Sequence, residues 1–451
     1  MSAPDMLSAV NRFGLGAAPG ELARARPDPR GYVAAQIATA PAPPALPETV
    51  PADTAAGLFL LTERRRILNE RNALVRRGEP DPGTPFTRPG AVAAQELALL
   101  LSTAAETRAP LAERLALHWS DHFTTSGGFT GFLAGSMERE AIRPHMLGNF
   151  RDMLVGVTLH PAMLFYLDNR NSVGPNSALN RASRRPRGLN ENLGREVLEL
   201  HTLGVDGGYT QEDVIALARI LTGWSIDLGE PPRRPERVGF FPDRHEPGPK
   251  TLLGKTYETD GPGQIVAALS DLARHPATAR HVTRRLVRHF VGEGLPALEA
   301  RMAEVYRRTD GDLRAVTRAL VSDDEAWGPP RKVRPPVELL LAAARLFGGL
   351  PRQPDPGRAL QAMGQPFWGA PAPKGWPAEN DAWAAPDAIK TRLDWASELS
   401  ARLPPGTDAR AVLETALGSA ASAETRRAVE RAADGRQAIT LLLLSPEFQR
   451  R

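Results

Sequence analysis

The sequence contains no cysteine. That excludes disulfides, thiolate nucleophiles, iron–sulfur clusters and cysteine-ligated zinc. Lysine is scarce as well: Lys250, Lys255, Lys332, Lys374 and Lys390 are all there are, so nearly all basic charge is arginine. No apolar run approaches the ~20 residues that span a bilayer, so no membrane helix is expected. The opening Met1-Ser-Ala-Pro-Asp-Met lacks the basic and apolar stretches of a secretory signal, which sets the expectation of a cytoplasmic protein. The glycine patterns that cradle nucleotide phosphates are missing, as is the Gly-x-Ser-x-Gly elbow of serine hydrolases.

What is present is an ordinary globular composition over 451 residues, long enough for one large domain or two to three smaller ones. The abundance of Arg, Ala, Pro and Gly fits a GC-rich coding sequence. The formal net charge is only +4. The densest basic run is Arg181, Arg184, Arg185 and Arg187, whereas Arg64–Arg66 and Arg233–Arg237 lie far from it. A nucleic-acid binder gathers its cations on one stripe. None is expected here.

Helical periodicity recurs through most of the chain, punctuated by Pro-rich connections such as Pro41–Pro51. Helices are expected over 54–77, 91–107 and 110–121, with one or two over 136–157 interrupted at Pro144. Another runs over 190–203 and closes at Gly204. Thr210 with Asp213 then reads as a capping box for the next helix. Residues 238–257 read as a short β-hairpin or ordered loop. A helical block follows at 263–274, 277–291, 296–308 and 312–322, and the last at 336–347, 387–402, 408–418, 424–433 and 436–444. The expected fold is mainly α: one unit over 1–451, divisible into 1–225, a hairpin-like insertion at 226–260, and 261–451. Helices 312–322 and 436–444 both run into a Ser with acidic residues, which shared stop chemistry explains without a repeat.

The candidate chemistry centres on the helix Asn190–His201. At 100° per residue, Glu191, Asn192, Arg195, Glu196 and Glu199 share one face, opposite Leu193, Val197 and Leu200, with His201 and Gly194 at the edge. Glu196 and Glu199 are i,i+3 neighbours that could share a cation or act as an acid–base pair. The plainer alternative is a solvated face with ion pairs Glu191–Arg195 and Arg195–Glu199. His118 and His122 are i,i+4, but the Glu that a zincin needs is absent, and His122 is the better candidate. His245 sits with Lys250 on the hairpin-like loop. A divalent transition metal held by His122, Glu196, Glu199 and His245, with His201 nearby, has donors suited to iron, manganese or zinc. Arg195 would orient an anionic group, Tyr209 would hydrogen-bond a substrate, and Asp168 would sit at the mouth of the site or stop a helix. His145, His160 and His275, each beside or one residue from a proline, read as structural. Phe367, Trp368, Trp376, Trp383 and Trp395 either line a groove or pack under a long loop.

Several phrases carry a resemblance. They are Asn11-Arg-Phe-Gly-Leu-Gly, Trp119-Ser-Asp-His-Phe, Ile142-Arg-Pro-His-Met-Leu-Gly, His160-Pro-Ala-Met-Leu-Phe-Tyr-Leu-Asp-Asn and Asn190-Glu-Asn. With them go Arg195-Glu-Val-Leu-Glu-Leu-His-Thr-Leu-Gly, Gly208-Tyr-Thr-Gln, Leu221-Thr-Gly-Trp, His245-Glu-Pro-Gly-Pro-Lys, His275-Pro-Ala-Thr-Ala and Lys374-Gly-Trp-Pro. From about residue 7 to 448 the chain resembles the bacterial domain of unknown function 1800 family. The resemblance implies a mostly helical fold and no established activity. It also implies a genomic neighbour, a sulfatase-like protein of the domain of unknown function 1501 family, and frequent twin-arginine export, although no leader is visible here. Two functions follow as expectations: an enzyme with a Glu/His site, with or without a metal, acting on an unknown substrate, or a non-catalytic helical partner or scaffold of the sulfatase-like protein.

Overall fold

Proline starts helices in this protein. Pro89, Pro110, Pro161, Pro262, Pro276, Pro296, Pro336 and Pro386 each occupy the first turn of a helix. There the missing N–H has no intrahelical partner to lose, and the ring fixes φ near its helical value. His160 and His275 precede two of these prolines as N-caps, each ring accepting a hydrogen bond from the backbone two residues on. The structural reading of both histidines therefore holds.

The computed structural model describes residues 6–38, 45–48, 50–228, 237–351 and 355–451, apart from the side chains of Phe129 and Arg237. The Met1–Asp5 opening, part of Pro41–Pro51, and Arg233 and Arg234 lie outside the described residues. The fold is mainly α, with two small two-stranded sheets among the described residues. Six helices position the site: α1 (Pro89–Glu106), α2 (Pro110–His122), α3 (Asn192–Glu196), α4 (Gln211–Leu221), α5 (Pro276–Phe290) and α6 (Pro336–Phe347). α3 continues as a π-helix, Val197–Thr202, and α4 opens on the expected Thr210–Asp213 capping box.

The expected hairpin over 238–257 is two separate antiparallel ladders. β1 (Trp224–Asp227) pairs with β2 (Arg237–Phe240), and β3 (Lys250–Leu252) pairs with β4 (Lys255–Tyr257). β1 comes from the end of α4, a partner too distant in sequence for a turn signal to reveal.

Buried apolar residues form one continuous cluster from Met6 to Phe448. α1 packs on α6, and α5 packs on the helix Pro296–Arg308. On α5, Val282, Leu286, Val287 and Phe290 are at most 1% exposed. Each such side chain contributes roughly 1.5–3 kcal/mol of transfer free energy.

Part of the arginine excess lies inside this core. Arg12, Arg114, Arg334 and Arg345 are fully buried. Arg12 donates to the carbonyls of Ala326 and Pro329, and Arg345 to those of Gly16 and Ala104 and to the carboxylate of Glu21. These long forks satisfy carbonyls left over at helix ends and turns, a task lysine's single ammonium does less well. Among the described residues, no helix is long and apolar enough to cross a membrane.

Candidate functional site

The sequence-nominated helix ends differently from an α-helical wheel. From Val197 to Thr202 it winds as a π-helix, and the Thr202 hydroxyl donates to the carbonyl of Val197. The wider turn rotates the later side chains. Leu198, His201 and Thr202 are buried, while Leu200 is only half-buried. The placement of Leu200 on the apolar face and His201 at its edge is thus corrected.

Before the π-turn the expected polar face exists. Arg195 lies 3.3 Å from Glu191, its i,i+4 partner, and 2.9 Å from the Gln211 side-chain oxygen. Gln211 in turn donates to Glu191 at 2.8 Å. Tyr209 donates to Glu199 at 3.2 Å. Glu196 sits half-buried beside this network, its pKa raised by burial and by the charge of Glu199. Asp168 adopts a left-handed backbone, with φ 58°, and its carboxylate accepts from Asn171 at 2.6 Å. That is the geometry of a tight turn after a helix.

The four nominated metal ligands are engaged as follows. His122 is buried, and its Nε2 donates to the carbonyl of His201 at 3.1 Å. His245 is also buried: Nδ1 donates to the carbonyl of Thr222 at 2.7 Å, and Nε2 lies 2.9 Å from Asp260 and 3.2 Å from the Lys250 ammonium. Glu196 and Glu199 stay at the polar face of α3. Among the described residues, no group of three or more His, Asp or Glu side chains could hold a metal ion, so these four form no such centre.

His122 belongs instead to a row of imidazoles. Ring centroids lie 5.0 Å apart for His289–His118, 6.2 Å for His118–His122, 6.3 Å for His122–His201 and 6.0 Å for His122–His281. His281 donates to the carbonyl of Leu200 at 2.8 Å. Together with His122 it caps two carbonyls at the end of the π-helix, where no intrahelical N–H remains. Burial, and then the charge of Arg285 and other neighbours, pushes these rings down, His201 to about 3 and His281 to about 4. His118, His122 and His289 are also well below the ordinary imidazole value, with burial the largest cause.

The row ends in a cavity of about 430 Å³ that opens to the surface. Its floor is apolar, with Leu99 and Leu100 of α1, Leu117 of α2 and Val337 of α6. Residues 364–380 run along it, and Phe367, Trp368 and Trp376 from that segment line it. Phe367 and Trp368 stack with centroids 4.7 Å apart, and Trp368 holds φ 51°. A bulky residue in that region is a local strain of the kind found at binding sites. Trp383 and Trp395, by contrast, are buried in packing. The two readings of the aromatic group therefore divide between its members.

One wall is α2. Asp121 accepts the backbone N–H of Trp376 at 2.8 Å and lies 3.4 Å from Arg285. Burial raises its pKa, with Arg285 and the Trp376 N–H opposing. Gly375, at φ 80°, lets the loop approach: a Cβ there would stand 2.6 Å from the Asp121 carbonyl oxygen and carboxylate. On the other walls Arg139 holds Glu96, Arg143 holds Glu138 and Glu113, and Arg451 holds Glu338. Lys332 is buried, donating to the carbonyls of Arg288 at 2.8 Å and Ala378 at 3.0 Å. Burial, then the charge of Arg451, pulls its pKa down to about 7. His118 Nε2 and His289 Nε2 are buried with no hydrogen-bond partner.

The model of the family described as "Protein of unknown function (DUF1800)" matches residues 8–450. The chain belongs to this family. No curated protein and no solved structure matches it. Within this DUF1800 chain, phrases far apart in sequence meet at the cavity: Trp119-Ser-Asp-His supplies Asp121, Ile142-Arg supplies Arg143, and Lys374-Gly-Trp supplies Trp376. His118, Asp121, Arg285, His289 and Lys332 were missed as a group by sequence reasoning. The one available signal was that Asp121 and Trp376 sit inside two of those phrases.

Proposed function

We propose that this chain is an enzyme acting on a small organic molecule held in the cavity bordered by residues 364–380, with Asp121 and His118 as its acid–base groups. The observation that carries this is the gathering of shifted titratable groups and unpartnered ring nitrogens in a concave, part-aromatic space. Asp121 and His118 are i,i+3 on α2, so both serve the same side of that helix. Burial favours the neutral carboxyl of Asp121 and the Arg285 guanidinium favours its anion, so each protonation state has a stabilising influence beside it, as an acid–base group needs. The neutral ring of His118 has a nitrogen free to receive or give that proton. No metal is assigned a role here, because Arg285, Lys332 and Arg451 would repel a dication. Residues 1–451 are taken as one unit, supported by the single core cluster.

The test is turnover profiling. Purified protein is incubated with a bacterial metabolite extract and masses are followed over time. The wild type should consume at least one mass that Asp121→Asn and His118→Gln leave untouched, with circular dichroism confirming that both variants fold. If no mass changes with any of the three proteins, the enzyme reading falls.

A second reading has its own observation. Glu191, Arg195 and Gln211 close on one another, and Tyr209 on Glu199, tying α3 to the start of α4. Such a network fixes loops, as a non-catalytic partner of a sulfatase-like protein would require. Glu196→Gln separates the two readings. A scaffold loses stability and partner binding together, whereas turnover in the cavity, which Glu196 does not line, is kept.

A further inference from the structure

The cavity's charges are unevenly matched. Among the described residues, each buried or half-buried carboxylate on its wall already holds an arginine: Glu96 holds Arg139, Glu138 holds Arg143, Asp121 holds Arg285 and Glu338 holds Arg451. Two cations that are not exposed, Arg288 and Lys332, have no such partner among the described residues. Arg288 makes no ion pair among the described residues, and its Nε is buried without a hydrogen bond. Lys332 is bonded only to carbonyl oxygens, two of them, which leaves one of its three N–H donors unused. Glu338 and Glu293 act on it only from a distance.

Beside these cations stand two imidazoles, each with an unpartnered ring nitrogen. His118 is 3% exposed, and His289 lies 5.0 Å from it, ring to ring. Each has a buried Nε2 without a partner. Leaving a buried polar atom unpaired is unfavourable, so the pair carries a cost that a ligand could remove. A cation is a poor candidate, since Arg114, Arg285, Lys332 and Arg451 already bear on these rings. A neutral apolar guest would leave all four donors unmet. Phe367 and Trp368 supply a flat apolar surface in the same cavity.

We infer that the cavity binds an organic anion, its carboxylate or phosphate seated among His118, His289, Arg288 and Lys332 and its ring or chain against Phe367 and Trp368. This rests on the cavity being the ligand site and adds the ligand's class. An anion there turns two unmatched cations into charge-assisted hydrogen bonds, about twice as strong as neutral ones. It also gives each orphan Nε2 an acceptor.

The experiment is calorimetric titration of the full chain with three matched probes: benzoate, phenyl phosphate and benzamide. At least one anion should bind about tenfold or more tightly than the amide, a gap of about 1.4 kcal/mol. Whichever of benzoate and phenyl phosphate binds better identifies the headgroup. Arg288→Gln should remove that advantage while leaving amide binding in place, and Lys390→Ala, a remote exposed cation, should change nothing. Equal binding of acid and amide overturns the anion assignment and leaves the cavity reading standing. Absence of binding by all three at about 10 mM overturns both. Retention of the full advantage by Arg288→Gln also overturns the assignment.

Discussion

The polar face of α3 and the cavity under residues 364–380 are both rich in ionisable groups, yet they are built differently. On α3, Arg195 is shared between Glu191 and Gln211, Tyr209 meets Glu199, and all remain partly open to water. In the cavity and the row of imidazoles leading to it, charges are taken out of water, and Lys332, Asp121 and five imidazoles shift as a result. Near-neighbour polar residues on one helix make a network cheaply, because the solvent does most of the charge stabilisation. Groups drawn from α2, α5, α6 and a distant loop must be desolvated together, and that is where unpaired atoms and altered proton affinities arise. Richness in Glu and His marks a place to look. Burial decides what they do.

The comparison is broken most directly at Glu338, which is 4% exposed between Arg114 and Arg451. Burial would raise its pKa, but the two guanidiniums outweigh that and hold it at about 2. Glu338→Gln strands buried positive charge and should cost about 3–5 kcal/mol in urea unfolding. A loss below about 1 kcal/mol would mean that the cavity wall is as solvent-screened as α3.

Acid should come next. His201 and His281 are held at about 3 and about 4 in the fold, below their unfolded value of about 6.5. Between those limits the unfolded chain binds more protons, so stability is complete above about pH 6.5 and falls as pH drops toward the folded values. Each such histidine should account for about 2 kcal/mol lost between pH 6.5 and about pH 5. Denaturant midpoints measured across that range should show the slope, and His281→Gln should flatten it.

Gly375→Ala should have a smaller effect on stability, about 1–3 kcal/mol, from a positive φ and a collision with Asp121. Its tryptophan emission should shift as the Trp376 loop lifts. An unchanged spectrum would detach the loop from the cavity's integrity. Tyr209→Phe should be the mildest, about 0.5–1.5 kcal/mol by thermal melting, since it removes one hydrogen bond at a half-open surface. A cost above about 3 kcal/mol would show that the α3 network is as deeply coupled as the cavity.

Much of the helical plan was legible residue by residue. The capping box at Thr210, the stop at Gly204 and the start at Pro110 are local events, governed by φ preferences and by N–H groups within one turn. The π-turn at Val197–Thr202 was not legible, because its carbonyls are satisfied by His122 and His281 from other helices. The same holds for β1, whose partner follows a long interval of chain.

Sequence by itself therefore determined a mainly α, cysteine-free chain of the DUF1800 family, with the boundaries of many of its longer helices and the polar face of α3, since these depend on composition and short-range periodicity. Only the tertiary structure decided which ionisable groups left water. It buried His118, His122 and His201 in one row, set Asp121 against Trp376, and left Arg288 and Lys332 without a carboxylate. The reason is that desolvation is a property of what surrounds a group from every side, and no single stretch of chain contains that information.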